Sequence, residues 1–258
     1  MNDGIQNLFV HRTAAQRYAT ARPYFHPLVM DKIVQFTKVA KFARAIDIAC
    51  GTGLSSRALT EIASQVDAVD ISAEMLAEAE SHERICYQVS PAEHTPFDAA
   101  FFELATVGLA FHWFDQAAFL REAKRILRPG SWLVVYNSGF FGEMVENPAF
   151  REWGRDLYQQ QFPTPARRAF GVTSELAEAA GFSLAGNESF THLETMTVQQ
   201  LTSYLLTQTN VIAAVESGTM PLAEAARWIS DGAAPYFRDQ SGTMKFGGTI
   251  CYLRAARP

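Results

Sequence analysis

Asp47-Ile48-Ala49-Cys50-Gly51-Thr52-Gly53-Leu54-Ser55-Ser56 is the stretch that decides the fold. It opens as a short apolar run from Ala45, reaches two closely spaced glycines and continues into a helical stretch. A strand that ends on glycines and turns into a helix presents bare backbone, which a ligand can approach closely. The next apolar run, residues 66–70, ends on Asp70, about 20 residues beyond the glycines. In nucleotide-binding sheets a carboxylate at this place accepts hydrogen bonds from ribose hydroxyls. Alone, the glycine pair would equally suit a tight strand-to-helix turn. With Asp47, Asp70 and the strand order in place, it points to a nucleoside site.

Outward from this window the pattern repeats. Residues 54–63 read as a helix, 66–70 as a strand, and 73–81 as a helix capped by Ser72. Strands are expected at 85–89, 104–109 and 132–136, the last after a helix over 116–127 and the turn signal Arg128-Pro129-Gly130. Upstream, Ile33, Phe36 and Val39 share one face of a short helix over 32–41. Residues 1–30 form an amphipathic lead-in that ends at Pro23 and Pro27. Strands alternating with helices imply parallel βαβ units and a doubly wound sheet.

Beyond Asn137 the alternation breaks. Helices are expected over 148–161, 174–180 and 221–229, with a helical block over 193–218 opened by Thr197. A strand is expected near 182–184 and a last one over 244–255. Residues 138–170 and 195–240 read as helical additions that cover a site above the sheet. The expected organisation is an N-terminal lid segment (1–40), a ligand-binding core (41–137) and a C-terminal part (138–258) that completes the sheet and carries the cap. The fold class is α/β, with a doubly wound, mostly parallel, seven-stranded sheet.

Composition excludes several functions. The chain of 258 residues carries 22 Lys+Arg against 27 Asp+Glu, a formal charge of −5, and shows no basic stripe, which argues against a nucleic-acid partner. The longest apolar stretch, roughly residues 104–114, is about half the ~20 residues of a membrane-spanning helix. The first residues are acidic and polar where a signal peptide needs a basic start and an apolar core. Cys50, Cys86 and Cys251 are odd in number and widely spaced, unlike a disulfide framework or a CxxC metal site. The histidines show no HExxH spacing, so no metal is expected. These features describe a cytoplasmic, globular protein without membrane or nucleic-acid partners; a monomer or homodimer is expected, a choice they do not make.

The loop also selects among nucleosides. A dinucleotide site expects a third glycine where Ser56 stands, and no phosphate-gripping lysine follows as in a P-loop. Asp47 places a negative charge beside the loop, which suits a cationic ligand end such as an amino acid's ammonium. Nucleoside plus amino acid describes S-adenosylmethionine.

Further segments follow in order: Val69-Asp-Ile-Ser-Ala-Glu-Met-Leu76, Ser90-Pro-Ala-Glu-His-Thr-Pro-Phe97, Thr106-Val-Gly-Leu-Ala-Phe-His-Trp-Phe-Asp115 and Leu127-Arg-Pro-Gly-Ser-Trp-Leu133. Tyr18-Ala-Thr-Ala-Arg-Pro-Tyr-Phe-His-Pro27 precedes them. Together with Asp47–Gly53 they resemble, in turn, the ribose motif, the adenine segment, the strand-four motif, the loop before strand five and the N-terminal Tyr-Arg-Pro segment of one family. That family is the class I S-adenosylmethionine-dependent methyltransferases, in the small-molecule branch with type 11 and trans-aconitate methyltransferase-like domains. The resemblance covers residues 9–137 well and Val198-Gln-Gln-Leu-Thr-Ser-Tyr-Leu205 more weakly.

The resemblance implies a Rossmann-like sheet and a set of contacts. Asp47 and the backbone from Gly51 to Gly53 would hold the methionine portion, and Asp70 the ribose. Ile71 and Met75 would line the adenine, with Ala92 and Glu93 at its edge. Val107, Gly108 and Leu109 would run beneath the sulfonium, while Tyr18 and Arg22 would close over the cofactor. Two positions depart from the pattern. Ala49 stands where the first motif commonly has glycine, and Pro91 where Asp is common, so the contact to the adenine amino group is either missing or supplied by Ser90 or Glu93.

On the acceptor side, His112 reads either as a general base at the strand-four mouth or as part of a structural corner with Trp113 packed beside it. Tyr136 and Asn137 end strand five and would face the acceptor, although a strand-end Asn also serves as a turn residue. Phe140, Phe141, Trp153 and Phe162 read as pocket lining or core, and Arg167-Arg168 as a carboxylate clamp or a solvated pair. The expected reaction is methyl transfer from S-adenosylmethionine to a small-molecule carboxylate or hydroxyl, releasing S-adenosylhomocysteine. A nicotinamide-dependent oxidoreductase, disfavoured by Ser56 and Asp47, and a non-catalytic nucleoside-binding regulatory module are the alternatives.

Overall fold

Residues 12–165, 168 and 171–257 are described by a computed structural model. From the N-terminus its elements are α1 (Arg12–Ala21), α2 (His26–Thr37), β1 (Phe42–Ile48), α3 (Leu54–Leu59), β2 (Ala63–Asp70), α4 (Ala73–Ala77), β3 (Ile85–Val89), β4 (Phe102–Gly108), α5 (Gln116–Ile126) and β5 (Leu127–Tyr136). There follow β6 (Gly139–Met144), a π-helical turn (Glu152–Leu157) running into α6 (Tyr158–Gln161), α7 (Ser174–Ala179), β7 (Phe182–Met196), α8 (Val198–Leu205), α9 (Thr209–Glu216), α10 (Leu222–Ala233) and β8 (Gly242–Ala255).

The strands run in the order β3-β2-β1-β4-β5-β8-β6, and β7 also pairs with β8. Strands β1 to β5 are mutually parallel, whereas β8 runs antiparallel to β5 and β6. The mostly parallel, doubly wound expectation holds, with β7 as an eighth strand beyond the seven on this path. Among the described residues, no helix is long and apolar enough to cross a membrane.

Two compact units divide the chain. The described residues of 24–137, 167–190 and 249–258 form a sheet unit, and those of 1–23, 138–166 and 191–248 form an aromatic unit. In the sheet unit, alternation sends successive side chains to opposite faces, as buried parallel strands require. Ile46, Ile48, Leu133 and Val135 join one cluster with Phe119 and Leu120 of α5. Ala45, Trp132 and Val134 join the other with Val29, Met30 and Ile33 of α2. The aromatic unit is filled by Phe150, Trp153, Tyr158, Phe162, Tyr204 and Phe246 together with aliphatic residues of α8 to α10.

Several expected boundaries shift for physical reasons. The helix over 32–41 is α2, which starts at His26 with Pro27 in its first turn and ends at Lys38 in the left-handed region (φ 59°). The helix over 54–63 stops at Leu59, because Ala63 already pairs with Phe42 of β1. The helix over 73–81 stops at Ala77, and the one over 148–161 is the π turn plus α6. Residues 193–196 are the end of β7, a 15-residue strand with alternating burial, and not the start of a helical block. Thr197 then opens α8 with a full capping box. Strand β6 was not expected; its Phe- and Gly-rich sequence pairs Gly139 and Phe140 with Gly247 and Phe246.

Candidate nucleoside-binding site

The glycine loop is built around Asp47, which is fully buried on β1. Its Oδ2 accepts hydrogen bonds from Ser55 Oγ (2.6 Å) and Ser56 Oγ (2.7 Å), and its Oδ1 from Thr106 Oγ1 (2.9 Å), its neighbour on β4. Burial raises the Asp47 pKa, the three hydroxyls oppose the rise, and the Asp70 charge adds to it. Ser56, the residue that breaks the dinucleotide pattern, is thus a strut of this loop. Ala49 takes φ 56°, a conformation that favours glycine, so a small side chain is accommodated there at the cost of strain. At Gly53 (φ 78°) a methyl group would collide with the Tyr87 hydroxyl.

Asp70 ends β2 beside this loop. Its Oδ2 accepts from Gly51 N (2.8 Å) and its Oδ1 from Ser72 N (2.9 Å), so one carboxylate ties the loop after β1 to the helix after β2. Burial raises its pKa, while the N–H groups of Ser72, Gly51 and Ile71 pull it down. The four lone pairs of the carboxylate outnumber these N–H groups, so acceptor capacity remains for a ligand donor. Ile71 and Val89 are 62% and 55% exposed, apolar side chains at the ends of neighbouring strands, and Met75 is buried against Gly51. The Thr52 and Tyr87 hydroxyls are buried without a hydrogen-bond partner among the described residues.

The segment after β3 is braced from α5. Thr95 donates from N (2.7 Å) and Oγ1 (2.6 Å) to Glu122 Oε1, and Arg125 bonds the same carboxylate and the Thr95 and Phe97 carbonyls. Burial works against the Glu122 carboxylate, but the bonds from Arg125 and Thr95 and the Arg125 charge outweigh it and bring its pKa down to about 2. Ala92 is buried, and Glu93 accepts from Asp115 N (2.9 Å) at the start of α5.

At the tips of β4 and β5, Gly108 stands opposite Tyr136. A methyl group at Gly108 would lie 2.7 Å from the Tyr136 hydroxyl, which is 2.9 Å from His26 Nδ1. Leu109 takes φ 62° and donates its N–H to Tyr136 O (2.9 Å), and Val107 is fully buried. His112 and Trp113 lie in the 3-10 turn Phe111–Trp113, ring centroids 4.6 Å apart, with His112 buried. Asn137 Oδ1 accepts from Thr249 N (2.9 Å), fastening β5 to β8.

The sheet unit therefore brings together Asp47, Ala49, Gly51, Gly53, Asp70, Ile71 and Met75 around one loop, and Val107, Gly108, Leu109 and Tyr136 at one strand tip. Tyr18 and Arg22 belong to the aromatic unit, where Arg22 lies 4.4 Å over the Tyr18 ring and donates to Thr207 O (2.9 Å). There too, Trp153 and Phe162 are core, while Phe140, Phe141, Gly142, Glu143, Gly154, Arg155 and Gln159 line a cleft of about 470 Å³. Arg168 donates to Phe114 O, and Arg167 lies outside the described residues. Sequence reading missed Thr52, Tyr87 and His26. Tyr87 carried a signal, since β3 alternation fixes its face, but its contact with Gly53 crosses two strands.

Comparison with known proteins follows the same lines. A family model described as a methyltransferase domain matches residues 46–135. The malonyl-[acyl-carrier protein] O-methyltransferase of Salmonella typhimurium is 29% identical over 170 residues, covering 65% of this chain. The chain spans 63% of that protein, less than two thirds of its length. A structure assigned as a type II methyltransferase from Anaeromyxobacter dehalogenans superposes with a TM-score of 0.65 at 21% identity, over 88% of this chain and 95% of the other. The [4+2]-cyclase SpnF shares the fold at a TM-score of 0.53 and 18% identity, over 90% of this chain and 81% of its own. Residues 46–135 thus match a methyltransferase-domain family, and over that span and beyond the chain is similar to proteins named for methyl transfer.

Proposed function

We propose that the protein transfers the methyl group of S-adenosylmethionine to a small-molecule acceptor and releases S-adenosylhomocysteine. The observation that carries this reading is the Asp70 carboxylate, held between Gly51 N and Ser72 N at the tip of β2. It leaves acceptor lone pairs for ribose hydroxyls beside exposed apolar Ile71 and Val89, which suit a flat base. Two buried carboxyls, Asp47 and Asp70, favour a ligand with cationic groups, because a positive charge offsets their desolvation. The buried Thr52 hydroxyl, without a partner among the described residues, supplies one more polar contact on the same loop.

When bound, the cofactor supplies a methyl group already activated by its sulfonium. The work left to the chain is positioning in a dry pocket. In this reading the backbone of Gly51 and Gly53 holds the methionine end, with Asp47 supporting it from behind. Ile71, Met75, Ala92 and Glu93 surround the adenine, and Val107, Gly108 and Leu109 floor the reacting centre. His112, Trp113, Tyr136 and Asn137 are assigned to the acceptor side, Tyr18 and Arg22 to the cofactor on their motif alone. The Salmonella relative's name specifies O-methylation, which favours an oxygen nucleophile. A cyclase on the same fold makes turnover, and not binding alone, the necessary test.

That test uses methyl-tritiated S-adenosylmethionine and a panel of carboxylic acids, phenols, alcohols and amines. Label appearing in one class of product supports the reading. Tight S-adenosylhomocysteine binding with no labelled product would favour a non-catalytic module, and enhanced fluorescence of added NADH an oxidoreductase.

A further inference from the structure

His26 was not among the residues singled out in the sequence, yet it makes a buried contact beside the strand tips. Its Nδ1 lies 2.9 Å from the Tyr136 hydroxyl, and both residues are at least nine-tenths buried. Phe25 stacks on the imidazole (centroids 4.4 Å, interplanar 27°) and also meets the Tyr136 ring edge-on. A buried phenol needs a partner whatever its role. Three further features go beyond that need.

First, the hydroxyl lies over Gly108, the residue directly across from Tyr136 on β4. Any side chain there would intrude on it, since a methyl group would come within 2.7 Å. Second, the adjoining Leu109 is held in the left-handed region at φ 62°, its N–H bonded to the Tyr136 carbonyl. A non-glycine residue in that conformation is strained, and strain of this kind clusters at functional sites. Third, the carboxyl ends of parallel strands are where open α/β sheets take ligands. The phenol is thus placed at the reacting end of the sheet by a glycine, a strained neighbour and a histidine.

We propose that Tyr136 and His26 form a proton relay, with Tyr136 as the catalytic residue and His26 as the positioning residue behind it. The proposal rests on the methyl-transfer reading and sharpens it. In the relay the phenol donates its proton to neutral His26 Nδ1, which turns the Tyr136 oxygen toward a donor on the acceptor. As the acceptor oxygen forms its bond to the methyl carbon, the carbon–sulfur bond breaks and leaves its electron pair on sulfur. The acceptor's O–H proton passes to Tyr136, and the Tyr136 proton passes to His26. One proton is thereby released to solvent per turnover, so the step balances without a further reagent. The acceptor class that uses this relay is a hydroxyl, phenolic or alcoholic. A carboxylate arrives already deprotonated and would find no donor in the phenol.

Full-length protein with ¹⁵N-labelled histidine, saturated with S-adenosylhomocysteine, gives the first readout. Nitrogen–proton correlation spectra are expected to show His26 protonated at Nε2, with Nδ1 as a hydrogen-bond acceptor that Tyr136→Phe releases. Protonation at Nδ1 in the neutral wild type would overturn the relay, because that nitrogen would already be occupied. This readout can overturn the proposal even where no panel compound is methylated.

On phenols and alcohols, Tyr136→Phe is expected to lower kcat by about 10²-fold. His26→Asn is expected to lower kcat with KM little changed, and both variants should keep S-adenosylhomocysteine affinity within about twofold, because neither side chain is assigned to the cofactor. Wild-type kcat in Tyr136→Phe, or turnover confined to carboxylic acids, would overturn the proposal. Absence of S-adenosylhomocysteine binding in the wild type would instead overturn the methyl-transfer reading, so the two failures are distinguishable.

Discussion

In the sheet unit the buried polar groups around the glycine loop hold one another, three hydroxyls on Asp47 and backbone N–H groups on Asp70, while Thr95 and Arg125 hold Glu122 on α5. In the aromatic unit, by contrast, rings fill the interior. Trp153 stacks near Trp228 (5.8 Å), Phe162 meets Trp228 edge-on (5.5 Å), and a sparse polar link runs from Tyr158 through Asn210 to the Phe162 carbonyl. Short polar side chains at strand tips fix the positions of a few atoms that a ligand must meet. Rings remove large apolar areas from water and contribute mainly stability. Substitutions in the first set should therefore change affinity most, and those in the second should change stability most.

The largest expected effect tests the second half of that contrast. Phe162→Ala removes a fully buried ring and should cost about 3–5 kcal/mol, read from guanidinium unfolding. A loss below about 1 kcal/mol would mean that the ring core collapses readily and contributes little.

Glu122 offers the next effect, through pH. Its carboxyl is at about 2 in the folded chain against an ordinary 4.5, so its folded pKa is depressed. The stabilisation is therefore fully present above about pH 4.5 and is lost as pH falls toward 2, a contribution on the order of 2–3 kcal/mol. Unfolding midpoints between pH 6 and 3 should fall more steeply in wild type than in Glu122→Gln, and parallel profiles would contradict the assignment.

Gly53→Ala places a methyl group against the Tyr87 hydroxyl at φ 78° and should destabilise by about 1–3 kcal/mol. It should also weaken S-adenosylhomocysteine binding more than tenfold (about 1.4 kcal/mol), and affinity retained by a destabilised variant would break the contrast. The smallest effect is at the surface. Lys32 pairs with partly exposed Glu188 at 2.8 Å, and Lys32→Ala should shift stability by no more than about 1 kcal/mol in thermal melts.

The same contrast explains what could be read in the sequence. Apolar runs alternate with helical stretches, and the glycines and Asp70 stand at a fixed spacing, so the succession of β1 to β5 and the loop they carry are legible in the sequence. Local signals also located Ser72 and Thr197 as caps. What was not legible depends on partners distant in sequence. β6 exists because β8, about a hundred residues later, pairs with it, and β7 continues to Met196 through a polar-apolar alternation that resembles a helix opening at Leu193. Asp47 was read as a charge facing a ligand; its three hydroxyl partners lie 8, 9 and 59 residues away. His26 meets Tyr136 across 110 residues, beyond the reach of any local pattern.

The central claim is that Asp70 organises a nucleoside site in the sheet unit. Calorimetric titration of S-adenosylhomocysteine into wild type and Asp70→Asn, each stripped of carried-over ligand and verified as folded, tests it most directly. Low-micromolar binding by the wild type, weakened by roughly tenfold or more in Asp70→Asn, is the predicted result. Well-folded wild-type protein that binds no S-adenosylhomocysteine, or an Asp70→Asn variant that binds it equally well, would contradict the account.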